Sequence, residues 1–221
     1  MMRKFAQLIP VLALTLIWSL AVGSPAMAQE VIKLDQPDVS QGTTVLQAIK
    51  DRKSERVFGS GDLSHQQLSE VIWAASGVNR ELGEGKVGRT SPTSHDDQAL
   101  DTYVFLKSGV YKYDHLKHEL HKLIDGDQRA KAGVQSYVGT APVNLILVAD
   151  LSKLSGDTEQ YKRMSMNMDA GHASENVYLY GASVGLHVIC RSTIERDELR
   201  ALLKLGDQYE PVLGITVGLP Q

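Results

Sequence analysis

Cysteine is nearly absent from this chain: Cys190 is the only one in 221 residues. A single thiol closes no internal disulfide and cannot build a cysteine-based zinc centre. Stability must therefore come from packing and, where chains associate, from subunit contacts. Phenylalanine and tryptophan are scarce, with three and two copies. An excess of positive charge is missing as well. The formal net charge is −3, and a nucleic-acid backbone demands clustered basic charge, so nucleic acid is a poor candidate partner. Long apolar runs are confined to the N-terminus, and no second membrane span follows. Internal repeats and low-complexity tracts are also lacking.

The N-terminal run has the organisation of a cleavable secretory signal. Arg3 and Lys4 precede an apolar stretch from Phe5 to Val22, interrupted by Gln7, Pro10, Thr15 and Ser19. Ala26 and Ala28 then supply the small-x-small pattern read by signal peptidase. The expected division is a signal over residues 1–28, cut after Ala28, a tether over 29–42 and one domain over 43–221. The mature chain is expected in the periplasm, with no stable membrane insertion. Its length suits one domain with a real core.

Within that domain, Thr43 or Thr44 caps a helix carrying Val45, Leu46 and Ile49 at helical spacing. Ser64 and Gln67 form a capping-box pattern before a second helix that ends at Gly77. Residues 80–98 read as a long polar loop, a feature that often carries function. A hairpin turning at Ser108-Gly109 follows, with Tyr103, Phe105, Val110, Tyr111 and Tyr113 on its arms. "HLKHELHKLI" reads as a charged surface helix and residues 127–141 as another. "VNLILVAD" is a buried strand. A long helix from Gln160 to Gly185 is rich in small residues, which let backbones approach closely. "LHVICRS" is a strand, "ERDELRALLKL" an amphipathic helix and "EPVLGITVGLP" a closing strand. This order predicts an α+β fold with a mixed sheet rather than regular βαβ winding.

Two polar stretches invite chemistry. "RKSERVF" places Arg52, Lys53, Ser54 and Arg56 where the first helix ends. Cations there also suit a helix C-terminus and open solvent. A phosphate, however, wants a guanidinium with hydroxyl and amide donors nearby, which Arg52 and Ser54 supply. "GRTSPTSHD" crowds Arg89, Thr90, Ser91, Thr93 and Ser94 around Pro92, and taken alone it is an ordinary polar loop. His115, His118 and His121 fall three apart on the expected helix, but they lack the HExxH spacing, so a solvated face and no metal site is the reading adopted. Cys190 has no flanking motif for a nucleophile and reads as a half-buried strand residue.

Taken in order, "RKSERVF" (52–58), "LSEVIWAASGVNR" (68–80), "GRTSPTS" (88–94), "DAGHASENVYLYGASVGL" (169–186) and "VGLP" (217–220) resemble the nitroreductase family of flavin enzymes, particularly the branch related to azoline-type peptide dehydrogenases. The resemblance covers nearly all of the mature chain. It implies an α+β fold with a mixed or antiparallel central sheet flanked by helices, and a homodimer with one FMN at each subunit interface. Arg52 would pair with the FMN phosphate, Lys53 and Ser54 would follow the phosphate arm, and Arg56 would lie beside the pyrimidine edge. Pro92, Thr93 and Ser94 would contact the ring system from the other subunit. Asn176 belongs to the family's Gln-Asn pair, here Glu175-Asn176. Cys190, Arg191 and Ser192 match the strand end that presents backbone amides to flavin N5.

The implied activity is ping-pong transfer through flavin N5 from a small-molecule donor to a nitroaromatic, quinone or similar acceptor, with no side chain singled out as catalytic. An azoline-type peptide dehydrogenase and a non-catalytic binding protein on the same fold are the alternatives. Besides Glu175, which stands for the common Gln, three features depart from the family. Thr93 stands for a common Ser, Asp96 for a common Asn, and no basic residue ends the chain, so Arg191 or Lys53 is expected to take its place at the phosphate.

Overall fold

The computed structural model describes residues 29–221; the expected signal lies outside the described residues. The centre of the fold is the continuous apolar run. It forms β7 (Val143–Asp150), all eight residues of which are buried. It can be buried on both faces because β4 (Leu100–Leu106) and β9 (Tyr209–Gly218) flank it and helices cover each side. Leu145 and Leu147 face one core, and Ile146 and Val148 the other. The full sheet has the order β1-β6-β5-β4-β7-β9-β8, where β1 is Val31–Lys33, β5 Gly109–Asp114, β6 Glu119–Asp125 and β8 His187–Arg191. Every pairing in it is antiparallel. The expected α+β class holds, and the sheet is antiparallel rather than mixed.

Among the described residues four helices surround the sheet: α1 (Val45–Asp51), α2 (His65–Ser76), α3 (Glu159–Val184) and α4 (Arg196–Leu203). Their ends follow the sequence signals. Thr44 caps α1 through Gln47 N–H. Ser64 and Gln67 close a reciprocal capping box on α2, satisfying two donors that the first helical turn leaves free. Gly185 ends α3 at φ 76°, a left-handed conformation open to glycine without a Cβ penalty. The small residues of α3 bring it close to the sheet: a Cβ at Gly181 would run into Val188. Among the described residues no helix is long and apolar enough to cross a membrane.

Four segments differ from their local reading. Residues 29–42 were expected as a tether, but they form β1 and a strap across α2. Leu34 is buried, its amide bonds His118 O at 3.0 Å, Asp35 N–H reaches Ser69 Oγ at 2.9 Å and Asp38 N–H reaches Glu70 Oε1 at 2.8 Å. Backbone bonds to buried polar groups of α2 hold this strap, so it shows no apolar period. The loop expected over 80–98 begins as a two-stranded ribbon, β2 (Val78–Gly83) and β3 (Lys86–Arg89).

The expected histidine helix is a turn followed by β6. Leu116, Leu120 and Ile124 imitate a helical stripe, but pairing with β5 and β1 outweighs that local period. The second expected helix, over 127–141, is two 3₁₀ turns, Arg129–Ala132 and Ser136–Gly139, with Gly133 between them. Gly133 lies against the Arg191 guanidinium, where any side chain would collide.

Histidines 115 and 118 therefore have different surroundings. His118 is buried, and its Nε2 must donate to Asp35 O at 2.8 Å because a carbonyl only accepts. Its Nδ1 then accepts from the Tyr113 hydroxyl at 2.7 Å. Burial, followed by the adjacent Arg89 guanidinium, pulls His115 down to about 4; burial likewise lowers His118. The unfolded chain takes up protons on these histidines below about pH 6.5, while the folded chain resists until lower pH. The sign is fixed: the unfolded state binds more protons in that window, so stability falls on acidification from about 6.5 toward 4. Urea midpoints measured across this range should show the decline, and His115→Asn should flatten it. A profile as steep as the wild type's would count against His115.

Candidate functional site

The segment after α1 runs along the outer edge of β8, where Glu55 N–H bonds Val188 O at 2.9 Å. This brings Arg52 and Ser54 onto Tyr178 of α3. The Arg52 guanidinium stands over the Tyr178 ring, 5.3 Å from its centroid. Arg52's side chain has no hydrogen bond or ion pair among the described residues. Ser54 Oγ lies 2.8 Å from the Tyr178 hydroxyl, and Cys190 N–H donates to that same hydroxyl at 2.8 Å. One phenol thus gathers three segments far apart in the chain. Lys53 points outward and pairs with Glu55 at 2.6 Å. Arg56 is exposed, with a long contact from Nη1 to Ser54 O at 3.4 Å.

The second polar stretch is a fixed loop. Arg89 is buried and ties the loop's start to its end through Leu100 O at 2.7 Å. Thr90 Oγ1 donates to Trp73 O at 2.9 Å. Asn176 Nδ2 donates to Thr90 O at 3.1 Å, so its amide holds the loop. Ser94 gives both its amide and its hydroxyl to Asp169 Oδ1, at 3.0 and 3.3 Å. Thr93 Oγ1 accepts Gln98 N–H at 3.2 Å, and Pro92 stands exposed at the tip. Asp96 is turned into a left-handed conformation, and its carboxylate takes Gln98 Nε2 at 3.0 Å. Burial raises Asp169, one carboxylate oxygen of which has no hydrogen-bond partner among the described residues. Along α3 the anchor at Asp169 is roughly 13 Å from Tyr178, at 1.5 Å per residue.

The end of β8 corrects two expectations. The Cys190 amide is engaged by Tyr178, so it is not free to be offered elsewhere. Amides alternate in direction along a strand, which makes Ser192 the next one facing outward, and Ser192 is exposed. Arg191 or Lys53 was expected as a substitute phosphate ligand, and of the two the Arg191 side chain turns into the protein. It is buried and donates from Nε to Thr216 Oγ1 at 3.1 Å, from Nη1 to Ala132 O at 3.0 Å and from Nη2 to Asn144 Oδ1 at 3.4 Å. The Cys190 thiol is pushed up by burial, away from thiolate character.

Tyr178 is the residue that sequence reasoning passed over. Its only signal was a large hydroxyl-bearing side chain amid the small residues of α3. Two hollows flank the site. One of about 190 Å³ is bordered by Asp51, Lys53, Tyr178 and His187. The other, of about 290 Å³, lies between Trp73, Thr90, Asn176 and Tyr180. Each is below the ~300–1,000 Å³ usual for small-molecule sites. A larger cleft of about 660 Å³ lies by Phe58, Arg129 and Leu219. Its arginine is committed to Asp127 at 2.7 Å, and its other lining cation is Lys107.

Comparison with known proteins gives the family. The model of the nitroreductase family matches residues 49–219. A crystal structure from Ralstonia eutropha JMP134, described as a candidate nitroreductase, is 37% identical with a TM-score of 0.79, over 86% of this chain and 90% of that one. A curated Methanocaldococcus jannaschii protein of the same description is 28% identical over 86% of this chain and 97% of its own length. A more distant structure, from Desulfovibrio desulfuricans, was solved in complex with FMN. It shares 18% identity and a TM-score of 0.58 over 80% of this chain and 87% of its own, a likeness of fold alone. The family match runs from within α1 to just past β9 and takes in both polar stretches: the chain belongs to the nitroreductase family.

Proposed function

We propose that this protein is an exported, FMN-dependent oxidoreductase that works as a homodimer. The observation that carries the reading is Arg52, a guanidinium with no acceptor among the described residues, set beside Ser54 and fixed over Tyr178. A phosphate monoester fits such a group, since it accepts two parallel charge-assisted bonds. Arg52, Ser54 and Lys53 would hold the phosphate arm, and Arg56 the pyrimidine edge. Pro92 and Thr93 would bear on the ring system, with the Ser192 amide available at the strand end. Ser94 and Asn176 would act by keeping the 90–98 loop in one shape. When bound, FMN supplies the two-electron transfer between donor and acceptor. The protein's own part is to bind, orient and exclude.

The donor and acceptor are read as small molecules used in turn, the acceptor a nitroaromatic, a quinone or a similar conjugated electrophile. A periplasmic location leaves the donor other than free NAD(P)H, for example a quinol or a redox protein. The absorption spectrum of the purified protein, before and after FMN addition and gel filtration, tests the cofactor. Roughly one retained FMN per chain supports the reading. A colourless protein that retains none sinks it.

The dimer is supported by apolar side chains that one chain leaves in water. Leu46 is 81% exposed and Val45 69%, and on α3 Met164 and Met168 are about half exposed. Gly171 lies on the same helix, with nothing near the position its Cβ would take. Gly171→Arg is therefore harmless to one chain, and Gly lowers helix stability by ~0.5–1 kcal/mol relative to alanine. It should halve the mass seen in sedimentation while the chain still unfolds cooperatively, at a midpoint that no longer depends on protein concentration. An unchanged mass would move the interface elsewhere.

A further inference from the structure

A hollow of about 340 Å³ opens between the start of α2, the end of β4 and the start of β7. It lies toward the end of the sheet away from Ser192. Val143, which lines it, is level with Val217 and through it with Val188. Ser192 is four residues further along β8, ~13 Å at the strand rise of 3.3 Å. The floor is aliphatic, made of Leu63, Leu68, Leu106, Pro142 and Val143. Leu63 and Leu68 bracket the Ser64 cap in the places of an apolar staple, and both stay half-buried at the helix start. No aromatic side chain lines the hollow, so a flat ring finds nothing to stack on. Two exposed charges stand at its mouth, Asp62 and Lys107, and both also border the cleft of about 660 Å³ beside it. Neither has an ion pair or a side-chain hydrogen bond among the described residues. The other polar lining residue, Ser108, has its hydroxyl 2.8 Å from that of Tyr111. In the neighbouring cleft Arg129 is neutralised by Asp127. The formal charges of Asp62, Lys107, Arg129 and Asp127 cancel, so the mouth favours no ligand of one sign. It favours a ligand that carries both.

We propose that this hollow is a second binding site, for a free aliphatic α-amino acid such as leucine: the side chain lies on the aliphatic floor, the ammonium meets Asp62 and the carboxylate meets Lys107. An α-amino acid holds opposite charges on one carbon beside its apolar chain, and the hollow presents the complement of each part. The size agrees, since about 340 Å³ is at the small end of the ~300–1,000 Å³ usual for small-molecule sites. Both polar contacts are charge-assisted, the stronger kind of hydrogen bond. The side chain adds the gain from apolar surface removed from water. The hollow shares no residue with the Arg52 site and takes its ligand whether or not FMN is bound.

Calorimetric titration of the purified protein tests this. L-Leucine should bind, and glycine, with no side chain to bury, should bind about tenfold more weakly or worse. N-acetyl-L-leucine lacks the ammonium and L-leucinamide lacks the carboxylate. Each should lose about tenfold, the worth of one hydrogen bond to a charged group. Lys107→Met keeps the stem and removes the charge. It should weaken L-leucine about tenfold and leave L-leucinamide no weaker, because that ligand has no carboxylate to lose. Asp62→Asn should likewise weaken L-leucine and leave N-acetyl-L-leucine no weaker. Both residues are exposed, so neither change disturbs the core, and urea midpoints equal to the wild type's check that. The proposal is overturned if L-leucine does not bind at about 10 mM, if glycine binds as tightly, or if either variant weakens the intact and the blocked ligand alike. A loss of FMN affinity in Lys107→Met would overturn it too, since that would place Lys107 at the Arg52 site.

Discussion

Arg52→Ala is expected to raise the dissociation constant for FMN about a hundredfold or more while leaving the fold intact. Truncating one partner of a hydrogen-bonded charge pair costs ~2–5 kcal/mol, and each 1.4 kcal/mol is tenfold in affinity. The same side chain does little for the empty protein. Among the described residues it makes no hydrogen bond or ion pair, and its cation–π contact with the Tyr178 ring is worth ~0.5–1 kcal/mol at an exposed site. The substitution thus separates binding from stability. Fluorescence titration and a urea curve on the same preparation measure both. Lys53→Ala is the internal comparison: that ammonium is exposed and already paired with Glu55, so its loss should weaken FMN far less. Equal effects at 52 and 53 would mean that the stretch acts as diffuse positive charge rather than as a built site. Unchanged flavin content in Arg52→Ala would remove Arg52 from the site.

What the sequence made legible was whatever is encoded locally. The caps at Thr44 and Ser64, the Gly185 stop and the buried run of β7 each depend on residues within a turn or two. The segments misread locally are those whose partners are distant. β6 has leucines at helical spacing and becomes a strand because β1 and β5 bond it from both sides. The strap over 29–42 owes its place to Ser69, Glu70 and His118, none of which its own residues announce. The same division applies to the site. The cluster at 52–56 stands out as charge and hydroxyl in a row, and the family resemblance supplied the residues expected to join it. Neither source shows that Asn176 faces Thr90 or that Tyr178 takes the Cys190 amide. Those are tertiary bonds, and two residues of the same type can as easily point at a ligand as at the protein's own backbone.

Arg191 makes this concrete. Its side chain was one of two, with Lys53, expected beside the cofactor phosphate, yet among the described residues no anion meets it: the partners are a threonine hydroxyl, an asparagine carbonyl and a backbone carbonyl. Burial accordingly lowers its affinity for its proton below the usual arginine range. Thr216 Oγ1, which accepts from Arg191, gives its own proton to Asn144 Oδ1 at 2.6 Å. Asn144 Nδ2 in turn reaches Val138 O at 2.9 Å. The guanidinium thereby links β8, β9 and β7 to the two 3₁₀ turns, with Gly133 and Gly214 bare to admit it. Arg191→Met, of similar length, keeps the volume and removes every donor. Hydrogen bonds to charged groups contribute ~1.5–3 kcal/mol each, offset here by the cost of burying the charge, so a loss of about 3 kcal/mol is expected. Arg191→Lys should recover little, because one ammonium cannot reach three acceptors arranged for a planar fork. Urea unfolding of the three proteins measures this. A methionine variant as stable as the wild type would mean that burying the charge costs as much as its bonds return. Arg191 would then be a candidate for a role beyond holding these strands together.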